Sequence, residues 1–559
     1  MLVAATLFTG NHAAWADGSI GGTYTDDNSN TVWYGWTDSN AQSMYTVAAN
    51  KTLTLTFTVT EYSGEWAGYV LNITKTANVD IAGGIWFRSP DFAWYKTGFN
   101  VGAVVSNTNT KGSMTQSEWQ AFVKDATTVM AIQRYGTQVF IKTTVTKNDI
   151  SYSHYFVQEI GTTNDIYAFL CADAASITIS SNEISETDAS SIAATTASCE
   201  SSGFAATEFC SLNPNEVLNV HFTNTSSGTN IYNNWGIELV WDGKYFDLIA
   251  GNHNIWGVLW GDYDSTTDKW TQNTKEGSFA DVNWPSTDDE VKSKLAGADV
   301  TLSIARSGRV VSITALHTPK SGNPFVLKYT LEPRDSYTNF DKEAITVKLL
   351  VDNSAITLNY PISKVNAEVS KYGWATFSSD YKLDFTNISG LNAYAVTGYE
   401  DTSITKSDAL GVVDASQGVL LEGTKGENST FYNIPVSTGE AYNGTNLLVA
   451  GTGESVGYDE NCTRYVLGVN TTTSKAEFQQ LVNGGAQATV AKGKAYLQFN
   501  GNVEARALQF EEEATGIDVV QSAGAKAQDA GIYYNVNGQR VSQPARGLYI
   551  VNGKKVVVM

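Results

Sequence analysis

Two stretches decide the fold: TVMAIQRYGTQVFIKTTV, residues 128–145, and DVTLSIARSGRVVSITAL, residues 299–316. In each, apolar and polar residues alternate on both sides of a glycine that follows an arginine, Arg134 or Arg306. Alternation at period two buries one face of a strand, and the glycine supplies a tight hairpin turn. The two hairpins belong to one repeated unit, because the landmarks around them recur in the same order. TLTLTFTVTEY (Thr52–Tyr62) and EVLNVHFTNT (Glu216–Thr225) come first as strand candidates. WAGYVLNIT from Trp66 and WGIELVWD from Trp235 follow. Next are aromatic-polar segments, WFRSPDFAWY (Trp86–Tyr95) and YFDLIAGNHNIWGVLW (Tyr245–Trp260). Acidic stretches with helical character, SEWQAFVKDA from Ser117 and STDDEVKSKLAGA from Ser286, lead into the hairpins. The copies close on FLCADAASITI, ending at Ile179, and LLVDNSAITL, ending at Leu358.

Units of this kind, with turn signals every few residues and almost no helical periodicity, read as all-β: two tandem jelly-roll-like β-sandwiches. At 559 residues the chain is too long for one core. Residues 1–16 read as the remnant of a signal peptide, with an apolar Leu2–Phe8 run and a small-x-small site at Ala14-Trp15-Ala16. Residues 17–180 form the first sandwich, 181–211 a Ser/Thr/Ala-rich linker or edge embellishment, and 212–362 the second sandwich. Short strands with glycine turns make 363–513 a third, small β domain. Residues 514–531 are a linker and 532–559 a short β tail with Asn-Gly turns.

That tail carries a resemblance. NVNGQRV, RGLYIV and NGKKVVV, in this order within the last 28 residues, are similar to the C-terminal sorting domain of the type IX secretion family of Bacteroidota. The chain ends on Met559, where that family often ends in Lys. The resemblance implies a secreted or outer-cell-surface protein handled by that secretion machinery, and it implies no chemistry. Arg88, Asp91 and Trp94 also resemble a pattern of secreted β-sandwich domains from the same bacterial group.

The formal charge of −21 disfavours nucleic acid and anionic membrane surfaces, whereas a neutral glycan meets no electrostatic penalty. No apolar run is long enough for a membrane span, so no membrane insertion is expected. No H-E-x-x-H, G-x-S-x-G or phosphate-cradling glycine loop occurs. Glu238 and Asp242, read as lying on one strand, share a face but would stand ~13 Å apart at ~3.3 Å per residue, too far for glycoside hydrolysis. The expectation is a non-catalytic glycan-binding protein. Aromatic rings stack on sugar faces while amides, carboxylates and guanidinium groups take the hydroxyls. The candidate ligand-binding residues are Trp86, Arg88, Asp91 and Trp94 in the first copy, and Asn252, His253 and Trp256 in the second. A structural or adhesive surface protein with buried aromatics is the alternative, and a polysaccharide-degrading enzyme with scattered carboxylates a further one.

No cofactor is expected. Asp26, Asn28 and Asn30, and Asp262, Asp264 and Asp268, have the alternating oxygens of a structural calcium site but lack the glycine and terminal glutamate of an EF-hand. Of the four cysteines, Cys171 reads as a buried small hydrophobe, while Cys199 and Cys210 are placed to close a loop by disulfide in an oxidising compartment.

Overall fold

The computed structural model describes residues 18–21, 42–62, 67–79, 84–89, 92–97, 108–251, 254–256, 262–264, 266, 269–271, 274–510, 518–520, 533–535, 540–541, 547–551 and 554–558. The signal-peptide reading of residues 1–16 lies outside them, as do Asp26, Asn28, Asn30, Trp66 and Asp268.

The first sandwich contains β1 (Gly18–Gly21), β2 (Gln42–Val47), β3 (Lys51–Tyr62), β4 (Gly68–Thr74), β5 (Ile85–Arg88), β6 (Ala93–Thr97) and β7 (Thr108–Asn109). After α1 (Gln116–Val123) come β8 (Thr127–Tyr135), β9 (Gln138–Lys147), β10 (Ile150–Glu159), β11 (Ile166–Asp173) and β12 (Ala175–Glu186). One sheet has the order β1-β12-β3-β8-β9-β10-β7 and the other β2-β11-β4-β5-β6. The alternating residues Leu53, Leu55, Phe57 and Val59 of β3 enter the core between them, with Leu71 and Ile73 of β4 and Phe87 of β5. This is the face that period two selects.

The second copy repeats the path. Its strands are β13 (Thr195–Leu212), β14 (Val217–Ser226), β15 (Trp235–Trp241), β16 (Lys244–Ile249), β17 (Asn254–Trp256), β18 (Asp262–Asp264), β19 (Lys269–Thr271) and β20 (Thr274–Phe279). Then follow α2 (Asp288–Leu295), β21 (Asp299–Ser307), β22 (Val310–Thr318), β23 (Phe325–Pro333) and β24 (Ile345–Tyr360). Strand β24 continues through Asn353, at φ 44°, where the first copy breaks between β11 and β12 at Ala174, φ 46°. Its first half pairs β15 and its second half β14, so β24 joins into one continuous sheet the strands that the first copy divides between two. The helices also match, each capped by a threonine, Thr115 or Thr287, whose hydroxyl accepts from the N–H of a glutamate three residues on.

The deciding hairpins have two-residue turns, with Gly136 at φ 55° and Gly308 at φ 56°, left-handed values that favour glycine. A Cβ on Gly308 would meet nothing within 4 Å, whereas one on Gly136 would strike the Tyr381 ring at 2.4 Å. Backbone conformation alone asks for glycine at the first; a neighbouring domain asks for it as well at the second.

Residues 195–211, inside the stretch read as a linker or edge embellishment, are not a free connection. They belong to β13, which runs antiparallel along the whole of β24 as an edge strand. Strand geometry puts Cys199 and Cys210 roughly 35 Å apart on that strand, while a disulfide needs Cα atoms within about 7 Å. All four cysteines are free, and Cys171 is fully buried. Thiol titration of the denatured, unreduced chain is expected to count four; a count of two would reinstate the bridge.

The third domain opens with β25 (Lys364–Val369). A seven-stranded sheet, built from segments between Val396 and Gln509, encloses its own core around Tyr465, Phe478 and Leu497. A second set of its residues, among them Val365, Phe377, Tyr381 and Leu421, joins the hydrophobic cluster of the second sandwich. The tail forms strands at Tyr533–Asn535, Arg540–Val541, Gly547–Val551 and Lys554–Val558. Asp518–Val520, in the stretch read as a linker, pairs parallel with the last of them.

Candidate functional site

Of the sequence candidates, Trp86 and Arg88 on β5 have described side chains. In the first sandwich, β5 pairs β4 so that Trp86 lies opposite Asn72 and Arg88 opposite Val70. Trp86 is only 9% exposed and packs with Val70, Phe169 and Cys171 in a small cluster. Arg88 is 7% exposed, with Nη2 3.9 Å from Asp173. Neither offers an open face to a ligand. Trp94 pairs with Phe87 while Tyr95 pairs with Trp86, so the two tryptophans occupy different rows. Asp91, Asn252 and His253 lie outside the described residues, and Trp94 and Trp256 are described in backbone only. Trp235 is core, edge-on to Phe222 at 4.9 Å.

The equivalent row of the second sandwich holds groups that the sequence reading missed. Asp242 and Gly243 form the β15–β16 turn, both with positive φ, so Asp242 is not on the strand with Glu238. Counting back from this turn, Glu238 faces Asp247 across the hairpin, and Trp256 faces Asp247 on the other side. The Asp-Gly turn was the available signal, since it fixes the register of both strands. Glu238 Oε1 is 2.6 Å from Lys348 Nζ. Burial and the hydrogen-bonded Glu238 carboxylate push the Asp247 pKa far above the carboxylate range, against the pull of Lys348. The Asp247–Glu238 carboxyl pair is therefore driven toward holding one proton, and Asp247 Oδ1 is buried without a partner.

A ligand-sized space among the described residues lies elsewhere, where three domains meet. A cleft of about 810 Å³ is lined by Asn50, Asn164, Asn219, Ser303, Ser312, Asn366, Asp380 and Lys492, among others. Its floor is the polar outer face of β14, β21 and β22, whose opposite face supplies Leu218, Leu302 and Ile313 to the core. At one end Lys492 contacts the Glu216 carboxylate, the Thr163 hydroxyl and, at 3.4 Å, Asp380. Glu216 accepts in turn from the Thr162 hydroxyl at 3.1 Å and the Thr163 N–H at 3.2 Å. Burial and the Glu216 charge raise the Asp380 pKa, while Lys492 opposes them. Asn50 ties the node together, accepting from Gly136 N–H at 2.8 Å and donating to the Asp380 carbonyl at 3.2 Å.

Between the second and third domains His221 lies between Asp299, 2.6 Å from Nε2, and the Ser363 hydroxyl, 2.8 Å from Nδ1. Lys364 holds the second Asp299 oxygen at 2.9 Å. Burial alone would raise Asp299, but these partners outweigh it and hold the pKa at about 2. The order of groups imitates a nucleophile triad. Ser363 and Lys364, however, begin the third domain and bind side chains of the second, so the arrangement works as a clasp.

Among the described residues no group of three or more His, Cys, Asp or Glu side chains gathers to hold a metal ion. Among them, too, no helix is long and apolar enough to cross a membrane. Comparison with protein-family models and with curated proteins gave no match for this chain.

Proposed function

We propose that this is a non-catalytic glycan-binding protein, secreted or held at the outer cell surface, whose sugar sits in the cleft between its three β domains. One observation carries the reading: a concave volume of about 810 Å³ walled by amides, hydroxyls and carboxylates. Those are the donors and acceptors that pair with sugar hydroxyls. The acidic tail-bearing chain and its sorting-like C-terminus support display outside the cell.

Affinity electrophoresis through gels loaded with plant, fungal and host glycans tests the proposal. The intact chain is expected to be retarded by at least one polymer. Ser312→Trp, which places an indole in the cleft from β22, is expected to run free. Equal retardation of both proteins, or none of the wild type in any gel, would refute it. Burial of Trp86 and Trp235, together with the core shared between the second and third domains, favours the alternative of an adhesive scaffold, which a failed gel series would leave standing.

A further inference from the structure

At the Lys492 end of the cleft an amine meets two carboxyl groups in different surroundings. Lys492 Nζ touches the Glu216 carboxylate and stands 3.4 Å from Asp380 Oδ2. All three side chains are largely enclosed, at 17% exposure for Lys492, 5% for Glu216 and 10% for Asp380. Glu216 also accepts from the Thr162 hydroxyl at 3.1 Å, the Thr163 N–H at 3.2 Å and the Thr163 hydroxyl at 3.4 Å, and such donors favour its ionised form. No comparable set of donors surrounds the Asp380 carboxyl among the described residues. Burial raises its pKa, with Lys492 opposing and Glu216 adding to the rise. One carboxyl is thus biased toward the base and the other toward the acid, with the amine between them.

The backbone holds this arrangement. Ser378 N–H donates to the Gly493 carbonyl at 3.2 Å, and the Ser378 hydroxyl to the Lys494 carbonyl at 2.9 Å. The segments carrying Asp380 and Lys492 are therefore laced together, and Asn50 of the first sandwich adds a bond of 3.2 Å to the Asp380 carbonyl.

We propose that Lys492 and Asp380 condense to an intramolecular amide with Glu216 as the general base, closing the third domain covalently once the second has docked on it. Glu216 takes one proton from the ammonium, and the freed amine attacks the Asp380 carboxyl carbon. A C–N bond forms, the C–O bond breaks, and the hydroxyl leaves as water with a proton from the nitrogen. Glu216 then returns its proton to solvent. No oxidant, cofactor or co-reactant enters. In water the step fails because the amine is protonated and the acid ionised. Enclosure works against both charges, and contact at about 3–3.5 Å replaces a chance encounter. Because Glu216 belongs to another domain than the two groups it joins, the reaction waits for docking. The amide is independent of the glycan reading, since it fixes one wall of the cleft whatever the cleft holds.

Mass spectrometry of the purified intact chain tests this, once its N-terminal residue has been read. The denatured wild type is expected to weigh one water less than its sequence requires. Its tryptic digest is expected to hold a branched peptide joining the segments of Asp380 and Lys492, with no cleavage after Lys492. Lys492→Arg, which keeps the charge, is expected to show full mass and linear peptides. Glu216→Gln is expected to do the same while keeping the wild-type circular dichroism. A wild type of full mass, cleaved after Lys492, overturns the proposal. A water deficit that persists in Lys492→Arg does so as well, because the loss then lies elsewhere. A branched peptide in Glu216→Gln overturns the role of Glu216 as base.

Discussion

Arg306→Met is expected to lower the melting temperature of the second sandwich by on the order of 10 °C, read by calorimetry on the intact chain. Arg306 is 1% exposed and its guanidinium donates only to main-chain carbonyls: Leu212 at 3.0 Å, Glu343 at 2.8 Å and Phe340 at 2.5 Å. The first of these closes β13, while the others hold the loop before β24, so one side chain fastens the start and finish of the domain. Arg134 repeats this on Val47, Asn164 and Thr162 at 3.0, 3.0 and 3.1 Å. Burial lowers both guanidinium pKa values to about 10, so both remain charged at neutral pH. Methionine fills much of the volume but leaves three carbonyls unpaired, at about 1–3 kcal/mol each before relaxation. A net loss near 4 kcal/mol corresponds to the stated shift for a domain of this size. Lysine, with one compact ammonium, is expected to recover only part of it. A variant melting within 2–3 °C of the wild type would show that the carbonyls find other partners.

The second large effect concerns Asp247. Its folded-state pKa is raised above the ordinary 3.8, so the native state holds a proton that the unfolded chain releases. Stability is then greatest in acid and declines as pH rises from about 4 toward the raised native value. Asp247→Asn removes the proton while keeping the shape and an N–H donor toward Glu238. It is expected to be more stable than the wild type at pH 8 by at least about 1.4 kcal/mol, the worth of one pKa unit. The advantage should shrink toward pH 4. Parallel denaturant titrations at pH 4, 6 and 8 measure it, and a constant difference across the series would contradict the shared-proton description.

The architecture was legible where local chemistry and long-range pairing agree. Arginine-glycine hairpins, threonine-capped helices and alternating strands carry their signals within ten residues, and each copy confirms the other. Edge strand β13 was not legible as a strand. Its Ser, Ala and Gly residues have weak strand preference, and pairing with β24, over a hundred residues later, decides its conformation. The surroundings of Trp86 were not legible for a related reason. Alternation says which residues share a face, but not whether that face is covered, and Trp86 lies on a covered one. Lys492, Asp380 and Glu216 carry no mutual signal, since only the docking of three domains brings them together. Asn50 and Asn215 were within reach. Asn50 precedes β3 and Asn215 precedes β14, the matching strands of the two copies, and each accepts from the hairpin glycine N–H, at 2.8 and 3.1 Å.

In both sandwiches the opening strand lies against the closing one: Gly18 is opposite Ile179, and Thr195 opposite Tyr360. A polypeptide emerging gradually from a narrow exit therefore cannot seal either unit until about 160 residues have passed. Such distant pairing slows folding by requiring a large loop to close first. The late-arriving strand therefore sets the moment at which each unit locks. Moving that strand to the front by circular permutation should make each unit lock sooner, read as faster refolding from denaturant.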